Sequence, residues 1–184
     1  MLKLYGGARS RASIVQWYLE ELSIPYEFVL LDMATGEHLK PEYLAINPMG
    51  KVPALEDGEV KLWESGAILL YLAEKYGKAG TSIEERSIRE QWVLFANSTL
   101  STGLFIEASR EKDVPRLLTS LSKILEQTPY ILGSEFTVVD VAVGSILAYV
   151  PIMLPIDLSP YPIIVDYIKR MNQRPAFEKT IGKR

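Results

Sequence analysis

Two short apolar strands flank one amphipathic helix at the start of this chain, and that order restricts every fold that can follow. The segment LKLY (2–5) reads as a strand closed by Gly6-Gly7. SRASIVQWYLEEL (10–22) repeats Ile14, Trp17, Tyr18 and Leu22 at helical spacing, with Ser10 placed to cap its start. YEFVLLD (26–32) is rich in aromatic and β-branched residues. A strand, a crossover helix and a second strand give a parallel pair with a right-handed connection.

After a polar loop (33–41) a short helical piece is expected near PEYLAI. VPALEDGEVKLW (52–63) then reads as a hairpin turning at Asp57-Gly58. A helix should begin at Ser65, with Ile68, Leu69, Leu72 and Tyr76 on one face and Gly77 stopping it. Composition shifts at the Gly-containing stretch YGKAGTS (76–82), a linker. Beyond it the periodicity is helical throughout. Ile88, Trp92, Phe95, Leu100 and Leu104 fall at helix-like steps. PRLLTSLSKILEQ is a shorter amphipathic helix, TVVDVAVGSILAYV opens with Thr137 and Asp140 in capping-box spacing, and YPIIVDYIKRMNQ is a final helix. The expected architecture is an α/β domain over 1–78 followed by an all-α domain over 83–184.

Several function classes are closed by composition. There is no cysteine among the 184 residues, which removes disulfides, thiolate metal sites and protein-thiol redox chemistry. A single histidine, His38, argues against a histidine metal site or a Ser-His triad. A net charge of −3 and a pI near 5.3 argue against general nucleic-acid binding. VAVGSILAYVPIMLPI (141–156) is very apolar but short for a membrane span, and Asp140, Pro151 and Pro155 punctuate it, so a buried core helix is expected. The opening MLKLYGGARS carries no apolar run of signal-peptide length, and a cytoplasmic protein is expected.

INPMGKVPAL (46–55), WESGAILLYL (63–72), TVVDVAVGSIL (137–147) and RPAF (174–177) together resemble the soluble glutathione transferases, over essentially the whole chain. The stretch DMATGEHLKPEYLAINPMGKVPAL is most similar to the bacterial and plant Ser-type classes. The resemblance implies a thioredoxin-like domain followed by a helical one, glutathione as co-substrate, no metal, and a homodimer. It implies that Val52 pairs its backbone with the cysteinyl part of glutathione, ahead of a cis Pro53. Ser65, read as an N-cap, and the first turn of its helix would take the γ-glutamyl carboxylate, and Glu64 the ammonium. His38, Lys40 and Lys51 would face the glycyl carboxylate, although each also reads as a solvated surface group.

The chemistry implied is activation of the glutathione thiol, whose free pKa of about 8.5 leaves it mostly protonated at neutral pH. Lowering that value by about two units needs roughly 2.7 kcal/mol of thiolate stabilisation. A hydroxyl, a helix N-terminus and a guanidinium can together supply it. Ser10 aligns with the catalytic serine, with Arg11 as the rival activator. Electrophile contacts are expected from Ala8, Arg9, Trp92, Phe95, Thr99 and Thr102 between the domains, although each aromatic taken singly reads as core. The expected function is conjugation of glutathione to electrophilic small molecules in detoxification, with glutathione-dependent hydroperoxide reduction as a second activity. The alternative is a non-catalytic scaffold of the same fold, such as the N-terminal domains of translation elongation gamma subunits. A thiol transferase is disfavoured by the missing cysteine.

Overall fold

The computed structural model describes residues 1–77 and 82–183. The chain divides into two compact units, Met1–Ala79 with Lys179–Arg184, and Gly80–Glu178. The linker read over 76–82, where the expected domain limits meet, falls mostly on 78–81, outside the described residues.

The first unit runs β1 (Leu2–Gly6), α1 (Ala12–Glu21), β2 (Tyr26–Leu30), a 3-10 turn (Glu37–Leu39), α2 (Pro41–Leu44), β3 (Ala54–Asp57), β4 (Val60–Trp63) and α3 (Ser65–Tyr76). Its sheet has the order β2-β1-β3-β4. β2 is parallel to β1 with Leu4 opposite Phe28, as the crossover requires. β3 is antiparallel to β1 with Leu4 opposite Leu55, and β4 antiparallel to β3. Alternation places Leu2, Leu4 and Gly6 in the interior and leaves Lys3 and Tyr5 half-buried. Leu4, Leu55, Val15, Trp17, Leu19, Ile68 and Leu72 are fully buried, and each large side chain removed from water contributes about 1.5–3 kcal/mol. Gly6 lets α1 start hard against the strand, since a Cβ there would come 2.4 Å from that of Ala12.

Two strand boundaries differ from the expectation. β2 stops at Leu30, although Leu31 still donates to the Gly6 carbonyl at 2.9 Å. The hairpin loop is Gly58-Glu59, because Asp57 pairs with Val60 inside the ladder and Gly58 takes the positive φ of +63°. Gly77 does end α3, but in an extended conformation; its need for glycine is space, a Cβ there meeting the Ala73 carbonyl at 2.6 Å.

Asp57 anchors the hairpin to the end of α3. It accepts from Lys75 at 2.7 Å, Tyr76 at 2.7 Å and Tyr71 at 3.0 Å. Desolvation pushes its carboxyl up, but the bonds from Lys75, Tyr76 and Tyr71 outweigh that and hold it below its ordinary value. A carboxyl depressed in the folded state contributes above its unfolded pKa, and the contribution is lost as pH falls through the folded one.

The second unit contains α4 (Ile83–Phe95), a π-helical turn (Ala96–Leu100), α5 (Ser101–Phe105), α6 (Glu107–Leu125), α7 (Val138–Met153), α8 (Pro162–Asn172) and most of α9 (Pro175–Lys179). A closing 3-10 turn, Ile181–Lys183, packs on α1 of the first unit. Ser82 and Glu85 form a reciprocal capping box at α4. Ile88 was expected inside and is 47% exposed; along α4 the buried line is Arg89, Val93 and Ala96, one residue on from Ile88, Trp92 and Phe95, whereas Leu100 and Leu104 are buried as expected. The helical run breaks at Ile106, where Arg110 donates to the terminal carbonyls of Leu104 and Phe105 at 2.8 and 3.3 Å. α6 starts there and runs through Pro115, eight residues before the expected start. The final helix is likewise followed by α9 and the closing turn.

α7 is buried from Val138 to Val150, as a core helix, and among the described residues no helix is long and apolar enough to cross a membrane. Asp140 is fully buried at its first turn. It accepts from the Ile131 N–H at 3.0 Å, the Thr137 N–H at 2.9 Å and the Tyr167 hydroxyl at 2.9 Å. Burial pushes this carboxyl up, and those same donors pull it back. Asp140→Ala orphans all three donors and is expected to cost about 3 kcal/mol or more of unfolding free energy in urea titration, at about 1–3 kcal/mol per unpaired buried group.

Candidate active site

The sheet register brings the predicted docking elements to one edge. Tyr5 lies opposite Ala54 and Ala54 opposite Trp63. The exit of β1 (Gly6 to Ser10), the entry to β3 (Val52-Pro53) and the exit of β4 (Glu64-Ser65) are therefore neighbours. β2 is parallel to β1, so the loop carrying His38 and Lys40 leaves from the same edge.

Val52-Pro53 is cis, and Pro53 is buried while Val52 is partly exposed. Among the described residues nothing hydrogen-bonds the Val52 backbone N–H or carbonyl. These groups form a short unpaired edge continuing β3, open to an added extended peptide. Lys51 is exposed; its carbonyl accepts from the Tyr43 hydroxyl and from Asn47 Nδ2.

Glu64, not Ser65, is the N-cap of α3, and the Glu64 side chain makes no capping hydrogen bond. Ser65 is the first helical residue and is 4% exposed. The correction has a backbone cause: the chain leaves β4 through Glu64 at φ 71° and ψ 117°, where a side chain is strained. That corner sets the first turn of a 12-residue helix at the open edge, a natural seat for a carboxylate.

Ser10 does not cap α1 in the usual position, which Arg11 occupies. Its hydroxyl knits the loop instead, donating to the Gly7 carbonyl at 3.1 Å and accepting from the N–H groups of Gly7 at 3.1 Å and Ala12 at 3.3 Å. Ser13 is buried and donates to the Ser10 carbonyl at 3.2 Å. Ala8, Arg9 and Arg11 are exposed. Tyr5 faces away from this loop: its ring lies 5.8 Å from that of Tyr43 and its hydroxyl donates to Glu56. Burial, then the Glu56 hydrogen bond, push its phenol well above the usual range.

His38 sits in the 3-10 turn, its Nδ1 buried and without a partner among the described residues. Lys40 is exposed and meets Glu37 at 3.7 Å, a contact of little weight at such exposure. With Arg9, Arg11 and Lys51 it brings four cationic side chains to the loops of this edge, beside Glu37 and Glu64.

The electrophile candidates separate. Trp92 and Phe95 pack edge to face, ring centres 5.4 Å apart, and line a cleft of about 210 Å³ within the second unit with Arg116, Leu117, Leu121 and Ile124. Thr99, on the π-helical turn, and Thr102, on α5, are exposed and line no part of that cleft.

Sequence reasoning passed over Tyr43 and Asn47. The available signal was Asn47 directly before Pro48, a turn-forming pair whose side chain folds back on its own loop. Met33 was also passed over; it lies against Gly7, where a Cβ would come 2.8 Å from its Cγ.

The glutathione S-transferase N-terminal domain family matches residues 1–74, and the corresponding C-terminal domain family matches residues 95–184. Among curated proteins, the glutathione S-transferase GstB of Escherichia coli is 31% identical, covering 98% of each chain. The disulfide-bond oxidoreductase YfcG of the same organism is 30% identical over 100% of this chain and 95% of its own. Among solved structures, a delta-class glutathione transferase of Nilaparvata lugens superposes with a TM-score of 0.85 at 26% identity, covering 97% of this chain and 92% of that one. A Phanerochaete chrysosporium glutathione transferase in complex with oxidized glutathione superposes at 0.84 and 26% identity, covering 99% and 95%.

The strained corner makes a stability prediction independent of any ligand. Glu64→Gly releases the positive-φ penalty and is expected to raise unfolding free energy by about 1 kcal/mol in urea titration. A loss of stability would show that the Glu64 side chain holds the corner.

Proposed function

This chain belongs to the glutathione S-transferase family, and on that premise we propose that the edge formed by Ser10, Val52, Glu64 and Ser65 holds glutathione for reaction. The observation that carries the reading is the convergence of three separate chain segments at that edge, set by the registers of β1, β3 and β4. The protein is a glutathione transferase. Val52 takes the cysteinyl part as an added strand beside cis Pro53. The N-terminus of α3 with Ser65 takes the γ-glutamyl carboxylate, and Glu64 the ammonium. His38, Lys40 and Lys51 serve the glycyl carboxylate.

In the reaction the thiol gives its proton to solvent and the thiolate attacks an electrophilic carbon; a leaving group departs with its bonding electrons, or, on addition to an isothiocyanate, the nitrogen takes up a proton. Ser10 is assigned as the hydroxyl donor to the thiolate. Its one proton is engaged with the Gly7 carbonyl, so donation to sulfur requires that it swing away while the Gly7 and Ala12 N–H groups keep its oxygen in place. Arg11 is the alternative, acting by charge alone. Trp92 and Phe95 offer aromatic surface for an apolar electrophile. A cytoplasmic detoxification role and a homodimer belong to the same proposal, supported by the family membership.

A second activity is favoured by the likeness to a protein named as a disulfide-bond oxidoreductase. With no cysteine in the chain, the two electrons would come from two glutathione molecules, one disulfide giving two thiols and oxidised glutathione. Hydroperoxide reduction balances the same way, giving an alcohol, water and oxidised glutathione. A non-catalytic scaffold has less support, because the docking set is intact and the relatives cited are named as enzymes.

Retention on immobilised glutathione, then a panel of halo-aromatics, isothiocyanates, hydroperoxides and disulfides, tests the assignment. Ser10→Ala should raise the pH at which the bound thiol ionises and lower kcat near neutrality, with recovery at higher pH. The readout is thiolate absorbance of the glutathione complex against pH. A profile that overlays wild type, with Arg11→Ala severe, passes the role to Arg11. Sedimentation at micromolar concentration should show a dimer, and a monomer there would remove that part of the proposal.

A further inference from the structure

Two buried donors hold the carbonyl of Lys51. The Tyr43 hydroxyl donates to it, and Asn47 Nδ2 donates at 2.7 Å. Tyr43 is 3% exposed and Asn47 1%. Neither side chain is loose. Tyr43 packs against Tyr5 with the ring centres 5.8 Å apart and the planes tilted by 56°, and Asn47 Oδ1 accepts from the Met49 N–H at 3.0 Å. The Gly50 N–H returns to the Asn47 carbonyl at 3.0 Å, closing the turn that ends at Lys51.

That carbonyl shares one planar peptide unit with the N–H of Val52. The peptide is trans, so its C=O and N–H point in opposite directions. Drawing the carbonyl toward Tyr43 and Asn47 therefore aims the Val52 N–H the other way. This is the N–H that has no protein partner among the described residues.

We propose that Tyr43 and Asn47 are positioning residues for glutathione, locking the Lys51–Val52 peptide so that the Val52 N–H is presented ready-aimed to the cysteinyl carbonyl. The proposal rests on the assignment of Val52 as the docking strand. Pre-aiming removes the cost of ordering that peptide on binding. Burial pushes the Tyr43 phenol up to about 12, with the Asn47 hydrogen bond pulling the other way, so it remains a donor through the neutral range.

Tyr43→Phe keeps the ring and deletes the donor. Calorimetric titration of the intact protein with glutathione and with S-methylglutathione is expected to show Kd raised about three- to tenfold for both, the change one hydrogen bond typically produces. The kcat at saturating glutathione should stay within about twofold, and the thiolate titration should not move, because the clamp acts on the peptide backbone and not on sulfur. Asn47→Ala should weaken binding further where it folds; Tyr43→Phe decides the matter where it does not. Wild-type Kd values in Tyr43→Phe overturn the proposal, as does a fall in kcat that matches the rise in KM. Glu64→Ala run in parallel separates the two layers. If it weakens binding and Tyr43→Phe does not, the clamp alone is wrong. If the wild type binds neither ligand, the docking assignment fails and the clamp with it.

Discussion

The pairing of β1 on both sides is the constraint on which this molecule depends. One strand, Leu2–Gly6, runs parallel to β2 and antiparallel to β3, so everything that leaves its C-terminal end emerges where β3 enters. A one-residue slip of β3 would turn Leu55 out of the core and Glu56 in. Burial of Leu4 against Leu55 thus fixes more than stability. It decides which backbone groups of the Lys51–Ala54 stretch face outward beside the Ser10 loop.

Around that frame, buried polar groups specify loops where apolar packing cannot. Asn47 and Tyr43 shape the approach to β3, and Asp140 ties Ile131, Thr137 and Tyr167 in the helical unit. Each bonds a stretch where the backbone runs irregular and would otherwise carry unpaired polar atoms. Such groups contribute modestly when satisfied and cost heavily when broken, so they fix one loop conformation against its alternatives.

Most of the fold could be read directly because its signals are local. The β-α-β opening, the hairpin, the apolar α7 and the Thr137–Asp140 cap all depend on residues close in sequence. The segments proposed for docking, INPMGKVPAL and WESGAILLYL, are just as local. What escaped reading depended on partners farther off. The start of α6 is polar and contains Pro115, so its helical character rests on the break at Ile106, which Arg110 stabilises from the next turn. Ile88 was misplaced because α4 buries the side chain of Arg89 in its stead. Ser65 was misread as the cap because serine has the right chemistry for one, while the backbone turn at Glu64 is dictated by how β4 meets α3. Tyr43 and Asn47 act on a carbonyl, and a carbonyl leaves no mark in a sequence.

The Asp57 anchor changes the meaning of the strained Glu64. A helix that could slide along its axis would let its first residue relax into an ordinary conformation. Here the last turn of α3 is fastened through Lys75, Tyr71 and Tyr76 to the far end of the hairpin whose near end is Glu64. Hairpin and helix become two sides of a triangle closed at both corners, and a closed triangle cannot shear. The distortion at one end of the hairpin is therefore kept by a carboxylate at the other.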